Sequence, residues 1–147
     1  MDAIERLLIE QECIRLMTDY NIHLDNLDVE AFVNVFAEDA IWSRAVPAPR
    51  IELCGHDALR QFIDSHMRPA PRLRRHMLAN PRVAVRRSDE AEGFCIGLVV
   101  HGPKGDLPVP MGGVELVAEY RDVFRRLPQG WRIVRRELTR VIDLDAA

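Results

Sequence analysis

Long apolar runs are missing from this chain. No stretch reaches the roughly 18–20 consecutive apolar residues that a membrane helix requires, so no contact with a membrane is expected. The opening "MDAIERLLIEQE" carries acids where a secretion signal carries basic residues, and no leader is read there. Cysteine is scarce as well. Cys13, Cys54 and Cys95 are odd in number and far apart, which makes neither a disulfide framework nor a zinc site and suits a reducing cytoplasm. No two histidines stand at metal-ligand spacing, no Ser–His or Cys–His arrangement stands out, and the glycines form no phosphate loop. Neither a metal nor another cofactor is expected. A basic excess is also absent: the net charge is −3 and the pI about 5.9, which excludes the usual nucleic-acid footprint.

What is present is 147 residues, 48% hydrophobic and 29% charged, enough for one domain (1–147) with a real core and too little for two. The charge is divided unevenly. Residues 1–71 hold six basic and 13 acidic residues, whereas residues 72–147 hold 14 and 10. The arginines of the second half fall mostly on alternating positions, as on a solvated sheet face.

Helical periodicity dominates the first half. Residues 3–24 space Ile4, Leu7, Leu8, Ile14, Met17 and Leu24 along one helix. Asp28 is placed to cap a second, "VEAFVNVFAE". A short strand, "DAIWS", follows, then a proline-bearing loop with a strand at Ile51–Cys54. "HDALRQFIDSHM" is a third helix, with Leu59, Phe62, Ile63 and Met67 on one side, stopped by the prolines of "RPAPR". From there the pattern alternates: 73–87, 92–101, 113–127 and 130–142 are four strands joined by polar or Gly/Pro turns. Helices followed by an antiparallel meander predict an α+β fold. The glycine- and proline-rich loop at 102–113 is a candidate gate.

Alternation places His76 on the same strand face as Leu78, and Tyr120 with Leu116, Ala118 and Phe124, while Glu115, Glu119, Arg121 and Arg125 take the outer face. The last strand, "WRIVRRELTRVI", is amphipathic on neither side; Arg136 and Arg140 travel with Leu138. His101 ends its strand on the face of Cys95 and Val99. Inward polar groups of this kind need partners or water, and several together point to a polar-edged pocket. Asp25, at the end of the first helix, is the natural carboxylate for His76: such a pair fixes the tautomer and supports a base near neutral pH. Tyr20 and Asp25 lie five residues apart, about 140° around a helix, so they share one cavity only if it wraps the helix end. His23, His56 and His66 read as surface residues.

The string "Y-x4-D-x2-D-x3-F-x3-F-x2-DA-x-W" (Tyr20 to Trp42), "G-x-DALRQF", "RHMLANPRV" and "GWRIVRRELTR" resembles the SnoaL-like branch of the nuclear transport factor 2-like superfamily, in order and over essentially the whole chain. The resemblance implies a cone: a strongly curved antiparallel sheet around a deep cavity closed by three helices. Asp25 and His76 fall where the family's scytalone dehydratase and hexachlorocyclohexane dehydrochlorinase keep a catalytic pair. Similarity to dehydratases of the family further implies Tyr20, His101, Tyr120 and Arg140 as substrate-binding groups, and similarity to the dehydrochlorinase adds Arg136. Trp42, the last residue of the first string, is a further substrate-binding candidate. Two tyrosines of scytalone dehydratase are replaced here by Leu24 and the Ser43–Arg44 region.

The implied activity is that of a cofactor-free lyase or isomerase, dehydratase-like, on a small hydrophobic and cyclic molecule. The alternative is a non-catalytic small subunit of an aromatic-ring dioxygenase, or a ligand-binding module, since this fold serves both. Pairing through the outer sheet face is the expected route to a homodimer or higher homo-oligomer.

Overall fold

Helix α1 (Ala3–Asn26) begins at Asp2, whose carboxylate accepts from the Glu5 N–H at 2.8 Å while the Glu5 side chain reaches back, a reciprocal capping box. It ends at Leu27, which adopts φ 53° and turns the chain. The computed structural model describes residues 1–145. Helix α2 is only Val29–Val33, capped by Asp28 through the Ala31 N–H at 3.2 Å. The expected longer helix gives way because Phe36 already begins strand β1 (Phe36–Val46), where alternate apolar residues gain more from burial against the sheet. Strand β2 (Ile51–Cys54) folds back on β1; α3 (Gly55–Phe62) continues into one π-helical turn, Ile63–Met67. Four long strands complete the chain: β3 (Arg72–Arg87), β4 (Glu90–Pro103), β5 (Gly113–Leu127) and β6 (Gly130–Asp143).

These strands make one curved six-stranded sheet in the order β2-β1-β6-β5-β4-β3. The sheet is mixed rather than wholly antiparallel, because β1 runs parallel to β6, with Trp42 opposite Arg136 and Arg44 opposite Leu138. The first long strand thus closes on the last.

The sheet's curvature comes with bulges, and each bulge reverses which residues face inward. In β3 the pairing slips between Ala79 and Arg82, where Asn80 has φ 51° ahead of Pro81. His76 and Leu78 point inward before the slip, Val83 and Val85 after it. In β6 a slip at Val134 puts Trp131 and Ile133 inward, then Arg136, Leu138 and Arg140. That explains why neither face of this strand reads as apolar in the sequence. In β5 a slip opposite Val99–Val100 turns Glu115 as well as Leu116 toward the interior, correcting its expected outer position.

One apolar core fills the closed end of the cone, where Met17, Phe32, Phe36, Phe124 and Ile133 are buried almost completely. Gly93 belongs to it: a Cβ there would collide with Met17 and Phe124. The first turns of α1 lie beyond this core. Ile4, Leu7 and Leu8, expected on the apolar side, are exposed; Met17 and Leu24 are buried as expected, joined by Ile9, Cys13 and Tyr20. Among the described residues no helix is long and apolar enough to cross a membrane.

Candidate active site

The open end of the cone holds a cavity of about 500 Å³, a volume suited to a small organic ligand. Leu24, Trp42, Val99, Leu116 and Leu138 give it apolar walls, and Phe62 and Met67 cover it from α3 and the π turn. His76 enters from β3. Its Nδ1 lies 2.6 Å from Asp25 Oδ1, and its backbone N–H donates to Asp25 Oδ2 at 2.9 Å. One carboxylate therefore grips both the ring and the strand. Both side chains are about nine-tenths buried. An ionised carboxylate only accepts, so Nδ1 carries the proton and Nε2 keeps its lone pair on the cavity side.

Tyr20 and Tyr120 form the cavity floor, with ring centroids 6.2 Å apart. Tyr20 accepts a hydrogen bond from Trp42 Nε1 at 3.1 Å, which leaves its own hydroxyl proton available to a ligand. Burial raises the pKa of both hydroxyls above the ordinary tyrosine value, opposed by the nearby Arg136 charge, so both remain neutral donors. Gly97 makes room for this floor, since a Cβ there would strike the Tyr120 ring. The angular separation of Tyr20 and Asp25 on α1 is accommodated because Tyr20 looks up from the floor while Asp25 reaches sideways behind His76.

Arg136 stands beneath the floor, not in the cavity. Its guanidinium lies 4.2 Å from the centre of the Tyr20 ring and 4.8 Å from that of Tyr120, and it makes two 2.7 Å hydrogen bonds to Asp122. With a side chain 1% exposed it is shut off from any ligand, which corrects its assignment as a substrate-binding group. His101 is also outside the cavity lining. Its ring packs against Gly112, where a Cβ would approach Nδ1 to 2.7 Å, and its carbonyl accepts from the Gly112 N–H at 2.8 Å. The strand continues to Pro103, so His101 is a ladder residue rather than a free end. Arg140 does line the cavity, paired with Asp143 at 2.8 Å, and Trp42 lines it too.

Four further residues were not among the sequence candidates. Arg74 and Glu115 line the cavity as an ion pair at 2.8 Å, Glu115 turned in by the β5 bulge. Arg44 lines it from β1. His66, read as a surface residue, lies at the cavity rim stacked on Phe62, centroids 5.5 Å apart. His56, outside the cavity, is also less free than expected: its Nε2 sits 3.0 Å from the Phe36 carbonyl. Only Arg44 carried an advance signal, as a departure from a tyrosine in the resemblance.

Comparison with known proteins accords with this geometry. The model of the SnoaL-like domain matches residues 5–137. No curated protein matches the chain. Among solved structures, an NTF2-like protein with a cystatin-like fold from Novosphingobium aromaticivorans is 29% identical, with TM-score 0.72 over 97% of this chain and 86% of that one. A proposed scytalone dehydratase from the same organism is 24% identical, with TM-score 0.80 over 99% of this chain and 93% of the other. A type 2 hexachlorocyclohexane dehydrochlorinase is 15% identical, with TM-score 0.81 over 99% and 94%. At these last two identities the likeness is one of fold.

Proposed function

The chain belongs to the SnoaL-like family of the nuclear transport factor 2-like superfamily, and from that premise we propose that it is a lyase or isomerase working with its own side chains on a small hydrophobic, cyclic substrate. The observation that carries this reading is the Asp25–His76 contact at the wall of a cavity with both apolar and charged lining. His76 Nε2 takes a proton from a carbon next to a carbonyl. The electron pair of that C–H bond moves through the new C–C double bond of an enolate onto the carbonyl oxygen. When the oxyanion re-forms the carbonyl, the pair makes the product double bond and a hydroxide or halide leaves the neighbouring carbon. The imidazolium, stabilised by Asp25, then returns its proton to a departing hydroxide, which leaves as water; after loss of a halide it gives the proton to solvent. For an isomerisation the proton goes back to a different carbon. Tyr20 and Tyr120 donate to the oxyanion that develops on the carbonyl, and such oriented donors in a dry site contribute roughly 3 kcal/mol each.

The likeness to a dehydrochlorinase and a proposed dehydratase supports the reaction class, because both are named for eliminations. The cavity also favours a site that takes a ligand over a purely structural subunit, whose interior would be filled by its own side chains. The test is elimination from a panel of cyclic β-hydroxy ketones and β-halo ketones, followed by mass spectrometry. His76→Gln should abolish product formation while circular dichroism and the unfolding midpoint stay near wild type. Undiminished turnover in His76→Gln would remove the imidazole from the reaction.

A further inference from the structure

The two walls of the cavity differ in how their charges are satisfied. On the β3 wall every charged side chain has its counterpart: Asp25 holds His76, and Arg74 Nε lies 2.9 and 2.8 Å from the two oxygens of Glu115. The facing wall, built by β1 and β6, presents Arg44 and Arg140. They are close neighbours, because Arg44 pairs with Leu138 and Arg140 is the next inward residue of β6. Arg140 spends one nitrogen on Asp143 at 2.8 Å, and its Nε is buried with no hydrogen-bond partner. Arg44 has no carboxylate within 4.0 Å among the described residues. One of its terminal nitrogens reaches the Pro49 carbonyl at 3.4 Å, and its Nε too is buried and unpartnered. Desolvation, then the like charge of Arg140, pull the Arg44 pKa below the ordinary guanidinium value, and the charge of Asp143 opposes this only in part.

We propose that Arg44 and Arg140 form a subsite for a carboxylate carried by the substrate, seated on the wall across from His76. This rests on the reading of the cavity as the substrate site and names the substrate class more closely: an apolar, cyclic acid. Charge decides between anions. Asp143 neutralises one of the two guanidinium groups, which leaves one positive charge, matched by a monoanion and not by a dianionic phosphate. Shape agrees, since the planar guanidinium fork fits a carboxylate. Pro49 and Asp143 each occupy one terminal nitrogen of these residues, so the other terminal nitrogen of each guanidinium is the donor a cavity carboxylate would meet. The apolar stretch between the walls, Leu116 and Leu138 on the floor side, would hold the hydrocarbon body.

Isothermal titration with 2-naphthoate and its neutral analogue 2-naphthamide tests this without turnover. Wild type should bind the acid at least about tenfold more tightly than the amide. Arg44→Gln should erase the difference, and Arg44→Lys should keep part of it. Equal affinities in the wild type overturn the proposal, and they are also the result if the arginines serve only an oxyanion formed during reaction. No measurable binding of the naphthoate, or a preference that survives Arg44→Gln, overturns it as well. His76→Gln separates the two readings. The acid preference should persist in that variant, so a failed elimination assay and a failed carboxylate subsite are seen independently.

Discussion

Asp25 and Asp122 are both carboxylates held against a base inside the cone, and they have opposite fates. Asp122 meets Arg136 with two 2.7 Å hydrogen bonds under a lid of tyrosine rings, and both side chains are essentially inaccessible. Two guanidinium nitrogens are spent on the carboxylate, the rings of Tyr20 and Tyr120 cover the guanidinium, and nothing of the pair faces the cavity. Asp25 spends its oxygens on one backbone N–H and one ring nitrogen, and the second ring nitrogen of His76 is left over at a cavity. The first arrangement neutralises charge; the second aims it. A buried charged pair becomes a chemical site only when its geometry leaves a valence unspent.

Breaking the sealed pair should have the largest effect. Arg136→Leu leaves the Asp122 carboxylate buried and alone, and urea unfolding should show a loss of about 3–5 kcal/mol. Adding Asp122→Leu should restore much of it; an equally unstable double variant would show that the pair organises the tyrosine floor beyond its own charge. Breaking the open pair should spare the fold and strike the chemistry. Asp25→Asn can present an amide N–H to the ring and select the wrong tautomer, so turnover should fall roughly 10²–10⁴-fold with a small change in the unfolding midpoint.

The groups packed around the sealed pair respond to alkali. Burial pushes the thiols of Cys13 and Cys95 up to about 12, and raises both tyrosines as well. A folded pKa above the unfolded one means stability that is intact at lower pH and is lost as pH rises past the ordinary values of 9.0 and 10.0. The unfolding free energy should therefore fall from about pH 9 upward, by as much as about 1.4 kcal/mol per pH unit for each group, and the urea midpoint should fall with it. A midpoint constant to pH 11, on the order of two units past the free thiol, would contradict the burial. The smallest effect belongs to Asp143. Its hydrogen bond from Arg140 holds its carboxyl below the usual range, so its contribution is present above the ordinary carboxylate pKa and disappears as pH falls through the lower folded value. Asp143→Asn should cost less than about 1 kcal/mol at neutral pH and flatten the acid limb of the stability profile.

Much of this comparison was legible in the residues alone. The helix of α1 and the four long strands follow from period 3.6 and period 2, and the meeting of Asp25 with His76 follows from a carboxylate at a helix end and an imidazole on an inward strand position. What alternation cannot carry is a one-residue slip. Arg136 and Arg140 share a face with Leu138, as expected, but the slip at Val134 breaks their continuity with Trp131 and Ile133. The slip in β5 hides Glu115, and with it the Arg74 pair. Only the slip in β3 is written locally, in an asparagine at positive φ before a proline. Depth is the other missing quantity. Arg136 and Arg140 look alike on the strand, yet one lies below the tyrosines and the other above them.

Asp25 also performs two tasks with one carboxylate. Because the same carboxylate anchors the β3 backbone and orients the imidazole, the tail of α1 cannot lift away without disarming the proposed base. A molecule loosened by heat or mutation would fall silent before it lost its helices, and would not turn over the wrong compounds in a half-open state. Gentle warming should therefore extinguish turnover at temperatures where far-ultraviolet circular dichroism still reports an intact chain.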